Sequence, residues 1–192
     1  MDMKLILHPN KGNDRLSNQY SRAFSKADEL YIVSAFLTEW DDSLLLRKGC
    51  RKFRLIIGKD FGITKKSACN EVIQWLPEGR KRNFKVAESI NGFHPKAIFW
   101  KELNGNCFAI IGSSNLTRAA FETNYEANYF CKLSKEEFAK AKEWIKQIEN
   151  NSTVVTKRWL NTYQERPPSS KKGAGKAFKK LTCPRLLCHR IR

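Results

Sequence analysis

Short apolar runs alternate along the chain with longer stretches of amphipathic spacing. Residues 4–7 read as a strand. Over Leu16–Lys26 the apolar side chains Leu16, Tyr20, Ala23, Phe24 and Ala27 recur near one face, which predicts a helix. Residues 29–36 are β-branched and aromatic and read as a buried strand. Asp41, Asp42 and Ser43 offer an N-terminal cap to a helical turn at 44–47. Lys52–Ile57 is a further strand closed by Gly58. A helix is expected over 64–76, stopping before Pro77 and Gly79. Residues 84–88 follow as a strand.

The second half opens with a hairpin. Strands at 96–100 and 107–111 flank Leu103-Asn104-Gly105-Asn106, whose Asn-Gly pair supplies the positive φ of a tight turn. Another strand is expected at 125–131 and a helix at 134–148. Ser134 and Glu137 have capping-box spacing, and Phe138, Ala141, Trp144, Ile145 and Ile148 keep helical spacing. Strands and helices alternate and a hairpin then interrupts them, which predicts an α/β fold, a mixed β-sheet flanked by helices. One domain is expected over 1–163. Pro167-Pro168-Ser169-Ser170 reads as a linker, and 164–192 as a basic tail.

Composition adds a partner class. The 192 residues carry a formal net charge of +17. Residues 151–192 hold 11 basic side chains and 1 acidic, so more than half of the excess sits in the last fifth of the chain. Lysine and arginine displace counterions condensed on phosphates, so a polyanion is favoured. A solvated basic surface or an anionic membrane would satisfy the same charge. No apolar run approaches the roughly 20 residues of a membrane span, and Met1–Pro9 lacks the core and flank of a signal peptide. A cytoplasmic protein without membrane partners is expected. Cys50, Cys69, Cys107 and Cys131 are scattered in or beside apolar segments and read as buried thiols. Cys183, Cys188 and His189 lack the usual zinc spacing and a fourth ligand, so no metal or other cofactor is assigned.

Candidate chemistry gathers in 92–130. His94 and Lys96 stand two apart at a strand start, which puts imidazole and ammonium on one face. Neutral imidazole is a competent nucleophile near pH 7, and the ammonium offers charge to a phosphate oxygen. Taken alone, the pair reads equally as a surface His and Lys opening a strand. Gly112-Ser113-Ser114-Asn115-Leu116-Thr117 follows a buried strand, and its donors suit an anion. It also reads as a plain turn in which Asn115 or Thr117 caps a short helix at 118–121. Glu126 lies in an apolar strand. It either holds an imidazole Nδ1–H, leaving Nε2 free to attack, or faces outward on a half-exposed strand.

These residues together resemble the phospholipase D superfamily, whose signature runs H-x-K-x4-D, then G-S-x-N, then a downstream acid. His94, Lys96, Ser113, Asn115 and Glu126 match it, and the likeness is greatest to the small bacterial nucleases and metal-independent restriction endonucleases of that superfamily. The segments 30–38 and 58–62 are softer matches. Where the signature has Asp, this chain has Lys101.

The resemblance implies a metal-independent endonuclease acting on DNA, with RNA as the alternative polymer. It implies His94, Lys96, Ser113, Asn115 and Glu126 as catalytic residues. Ser114, Thr117 and Arg118, with Lys171 and Lys172 in the tail, are the candidate substrate-binding residues. Members need two such motifs for one site. His8 and His189 lack a lysine two positions on, so the resemblance implies a homodimer. A phospholipid-cleaving enzyme and a catalytically silent nucleic-acid-binding module are the other readings. The sequence identifies no helicase or modification partner.

Overall fold

The computed structural model describes residues 3–9 and 15–167. The expectations for Lys171, Lys172, Cys183, Cys188, His189 and the linker from Pro168 onward lie outside these residues.

The short apolar runs become the strands of one mixed sheet. They are β1 (Met3–His8), β2 (Ala27–Ser34), β3 (Lys52–Ile57), β4 (Phe84–Val86), β5 (Lys96–Glu102), β6 (Cys107–Gly112), β7 (Glu126–Leu133) and β8 (Thr153–Val154). Their order across the sheet is β1-β7-β6-β5-β2-β3-β4-β8. The strands β2, β3 and β4 run parallel to one another, and the other pairs are antiparallel. The helices are α1 (Leu16–Lys26), α2 (Lys66–Trp75), α3 (Arg118–Glu122), α4 (Lys135–Asn150) and α5 (Lys157–Thr162).

Helices cover both faces of the central strands, and every residue of β2 is buried. On one face, Phe24 of α1, Trp40 and Trp75 form an aromatic cluster over Leu30, Ile32, Leu55 and Ile57. On the other, Phe138, Ile145 and Ile148 of α4 lie over Tyr31, Val33, Ala97 and Phe99. Burying apolar surface of this extent is the main term that holds such a fold together. At α4 the capping box forms as its spacing predicts. The Ser134 hydroxyl accepts from Glu137 N at 3.1 Å, and Glu137 accepts from Ser134 N at 2.7 Å.

Two local readings need correction. No helix forms at 44–47. The Asp41 carboxylate instead accepts from Ser43 N at 3.0 Å and from the Ser43 hydroxyl at 2.6 Å, closing a turn on itself rather than capping a helix. The short helix α5 was not expected. It starts where the Thr156 hydroxyl accepts from Trp159 N at 3.1 Å, and it buries Leu160. Packed contacts then continue to Arg166. Glu165 accepts from Lys65 Nζ and Lys66 N, both at 2.9 Å, and these bonds hold its carboxyl below the usual range. Arg166 N donates to Gly62 O at 2.8 Å.

One glycine fixes how β6 ends. A Cβ on Gly112 would lie 2.3 Å from Ala127 O and 2.4 Å from Asn128 Oδ1. That closeness lets Asn128, buried opposite Gly112, curl onto Ser114, giving Nδ2–H to its hydroxyl at 2.8 Å. Gly112→Ala is therefore expected to destabilise the fold by about 1–3 kcal/mol through overpacking. Urea unfolding monitored by circular dichroism reads this as a lower midpoint with an unchanged slope. An unchanged midpoint would show that the close approach is not needed.

Candidate active site

The sheet ends that gather the candidate residues are set by register. Ser34, at the end of β2, pairs with Lys96 at the start of β5. Gly112, at the end of β6, pairs with Asn128 near the start of β7, and Glu126 opens β7 opposite His8. His94, Lys96, Ser113, Asn115 and Glu126 thus share one end of the sheet.

His94 is exposed, and its ring meets Phe36 edge-on with centroids 5.7 Å apart. The Lys96 ammonium lies 3.1 Å from His94 Nδ1, 3.2 Å from Nε2 and 3.3 Å from His94 O. Lysine has no lone pair to accept with when charged, so it donates to whichever ring nitrogen is unprotonated. Partial burial lowers the Lys96 ammonium below the ordinary lysine range, and the Glu126 carboxylate pulls the other way.

Asn115 is oriented by backbone. Its Oδ1 accepts from Phe36 N at 3.2 Å and lies 3.4 Å from the Ser34 hydroxyl oxygen. An N–H can bond only to the oxygen of that amide, which leaves the amide NH2 as the donor for another group. Ser34 itself is buried. Its hydroxyl donates to Phe36 O at 2.8 Å and accepts from Leu116 N at 3.1 Å. Sequence reasoning missed Ser34 as a supporting residue. The signal was there, as the one serine, set between Val33 and Ala35 in a mainly apolar run.

Glu126 does not hold the His94 imidazole within the protomer, and that expected contact is corrected. Its carboxylate accepts from the Ser113 hydroxyl, and from Asn124 Nδ2 at 3.3 Å. The Ser113 oxygen also accepts from Ala127 N at 3.0 Å. A hydroxyl has one proton, so Ser113 reaches an anion only by giving up its bond to Glu126. The same carboxylate, after burial itself, pushes the Tyr20 phenol upward.

The candidate substrate-binding residues divide. Ser114 and Thr117 are 3% and 7% exposed, and their hydroxyls serve the fold. Ser114 is tied to Asn128, and Thr117 caps α3 by accepting from Ala120 N at 3.2 Å. Neither lies open to a substrate, because a strand end and a helix start use up small hydroxyl residues. Arg118 is exposed, 3.8 Å from Glu39, at the edge of a cleft of about 510 Å³ that also includes Trp40 and Trp75. Lys101 pairs with Glu29 and Cys107 near the far end of β5, roughly 17 Å along the strand from Lys96 by strand rise. It takes no part in the cluster. Among the described residues no three His, Cys, Asp or Glu side chains are grouped as metal ligands, and no helix is long and apolar enough to cross a membrane.

Solved structures share this fold. NucT from Helicobacter pylori superposes with a TM-score of 0.54 at 19% identity, covering 80% of this chain and 99% of that one. Nuc from Salmonella typhimurium, a phospholipase D family member, gives 0.59 at 15%, covering 80% and 97%. Phosphatidylserine synthase from Haemophilus influenzae gives 0.58 at 13%, covering 80% and 39%. These identities speak for the fold alone. A comparison with curated proteins gives no match. By sequence, residues 14–161 match the family described as NgoFVII restriction endonuclease N-terminal PLD domain. With its fold and its sequence in agreement over most of its length, the chain belongs to that restriction-endonuclease family of phospholipase D-type domains.

Proposed function

We propose that the protein is a DNA endonuclease that breaks phosphodiester bonds through a phosphohistidine on His94, in a site completed by a second copy of the chain. The observation that carries this reading is the Lys96 ammonium 3.1 Å from the exposed His94 ring, at the same sheet end as the free Asn115 amide. A nucleophile and two donors for phosphate oxygens are what the first displacement requires.

A bare apolar face supports the second copy. Leu5 pairs with Tyr129, Tyr129 with Ile111, and Ile111 with Ala97, so the four share one face of the sheet. Ala97 lies in the core cluster under α4, but Leu5, Tyr129 and Ile111 are 51%, 49% and 49% exposed. Met3 and Leu7 extend the patch along β1. Leu7 pairs with Ala127, whose N–H bonds Ser113, so the apolar face runs up to the catalytic end. A twofold pairing of such faces would bury them and bring two catalytic ends together.

In the reaction, a neutral His94 nitrogen attacks phosphorus and the P–O bond to the leaving strand breaks. The partner's His94, as imidazolium, gives its proton to the departing oxygen. It then takes a proton from water, which attacks phosphorus and breaks the P–N bond. Both imidazoles return to their starting forms. Lys96 and Asn115 neutralise the non-bridging oxygens, the role a metal ion plays in other nucleases. Ser113 and Glu126 act as positioning residues that tie the end of β6 to the start of β7.

Three outcomes are expected. In a plasmid-nicking assay, His94→Ala abolishes cleavage while EDTA leaves the wild type active, and acid-quenched reactions with ³²P-labelled DNA leave label on wild-type protein only. Loss of activity in EDTA with recovery in Mg²⁺ would overturn the metal-free mechanism. Asn115→Ala lowers the rate about 10²- to 10³-fold, the usual effect of removing one such donor. Leu5→Glu combined with Tyr129→Glu gives a folded monomer by sedimentation and circular dichroism, without nicking activity. Full activity in a monomer would rule out the shared site.

A further inference from the structure

The turn after β3 carries an exposed aromatic ring on a strained backbone. Phe61 has φ 60° and ψ 7°, and among the described residues it is the one non-glycine with positive φ. The left-handed region disfavours an L side chain, so a conformation kept there needs surrounding restraint. Its ring is 75% exposed, whereas the other described phenylalanines are buried or half-buried. Neither hydrophobic burial nor backbone preference accounts for a phenylalanine at this position.

The restraint is plain. Asp60 Oδ2 accepts from Phe93 N at 3.1 Å, Lys59 O accepts from the Tyr163 hydroxyl at 3.4 Å, and Gly62 O accepts from Arg166 N at 2.8 Å. The approach to the turn is close-packed as well, because a Cβ on Gly58 would lie 2.4 Å from Ala35 O and 3.1 Å from the Phe93 ring. Phe93 directly precedes His94, and Ala35 directly precedes Phe36, the ring that His94 meets edge-on. The turn is therefore bonded to the residue before His94, and the chain leading into it packs against the residue before Phe36.

We propose that Phe61 is a stacking platform for an unpaired nucleobase beside the scissile phosphate. The inference rests on the nuclease reading and deepens it by naming the preferred substrate as single-stranded or locally opened DNA. Inside a duplex both faces of each base are covered by its neighbours, so a ring held out on a fixed turn can stack only on a base that has left the stack. Stacking of this kind is indifferent to base identity, since every base has a π-face.

The test uses full-length protein carrying His94→Ala, which prevents cleavage, and a single-stranded oligonucleotide containing 2-aminopurine. Adding Phe61→Ala is expected to weaken binding about 5- to 150-fold, the range for losing one stacked base, and to abolish the fluorescence quenching seen on binding. Phe61→Trp keeps both. With an abasic nucleotide in place of the stacked base, the protein that keeps Phe61 and the one carrying Phe61→Ala bind alike. Phe61→Gly relieves the positive φ and should raise the thermal midpoint while weakening binding, a pair of opposite signs that a structural role would not give. Equal affinity and quenching with and without the ring would overturn the inference while leaving the nuclease reading intact. So would loss of both stability and binding in Phe61→Gly. Failure of the Phe61-containing protein to bind DNA at all would instead remove the nuclease reading, and this inference with it.

Discussion

Where a sheet stops, backbone groups lose their ladder partners and must find others or face water. At one end of this sheet the replacements are side chains, and the candidate active site is made from the same contacts. Asn115 takes the N–H of Phe36, Ser34 takes that of Leu116, Ser113 takes that of Ala127, and Asp60 takes that of Phe93. Each bond closes a strand or turn end and in doing so fixes a residue at, or next to, the reacting group. Satisfying the backbone and orienting the chemistry are here one task.

That coupling explains which residues could be read from sequence. The sheet was legible because β2 holds the apolar run Leu30-Tyr31-Ile32-Val33 and β5, β6 and β7 are short runs bounded by Pro95, an Asn-Gly turn and a capping box. The closeness of His94 and Lys96 was legible through spacing, since residues two apart on an extended chain share a face, whereas Asn115 stood out only through the motif it belongs to. The division of labour among hydroxyls was not. Thr117 does cap α3, one of the two caps the sequence offered. Ser113 and Ser114 look alike as a string, yet one faces Glu126 and the other is buried on Asn128. Nothing local distinguishes them. The choice depends on Asn128 and Glu126, residues more than ten positions away, and on Gly112 leaving room for one of them. The expected Glu126–imidazole contact failed for a related reason, because a hydroxyl on the neighbouring strand is nearer to that carboxylate than the imidazole is. At 44–47, the run Asp41-Asp42-Ser43 suggested a capped helical turn, but Asp41 bonded locally to Ser43, the competition that keeps short polar side chains from capping reliably.

The arrangement of helices leaves a consequence for assembly. Among the described residues, α4 covers the inner strands on one face and leaves Ile111 of β6, Tyr129 of β7 and Leu5 of β1 about half exposed on that side. In the proposed reaction the protomer supplies His94 as nucleophile and donors for phosphate, but among the described residues it has no second imidazole beside His94 to handle the leaving group's proton. His8, the other described histidine, is buried and bonded to Asn124 O at 3.3 Å. The missing proton donor and the missing apolar cover are both supplied by the same hypothetical event, pairing of two copies through that face.

Strain and exposure at Phe61 belong to the same set of constraints at the sheet ends. Gly62, with φ 64°, sits in the left-handed region at no steric disadvantage, and the chain could have placed glycine one position earlier too. It keeps a phenylalanine there, in a turn held by a bond to Phe93 in the β4–β5 connection and by bonds to the segment after α5. Those bonds make the turn stiff, and stiffness matters for a stacking surface. A ring that is already fixed loses little freedom when a base lies on it, so more of the contact free energy appears as binding. A flexible loop bearing the same ring would forfeit much of that gain to ordering. On the proposed reading, the extra restraint from residues 163–166 does for the stacking ring what the bonds of Ser34 and Asn115 do for the backbone at Phe36: it fixes the geometry in advance of binding.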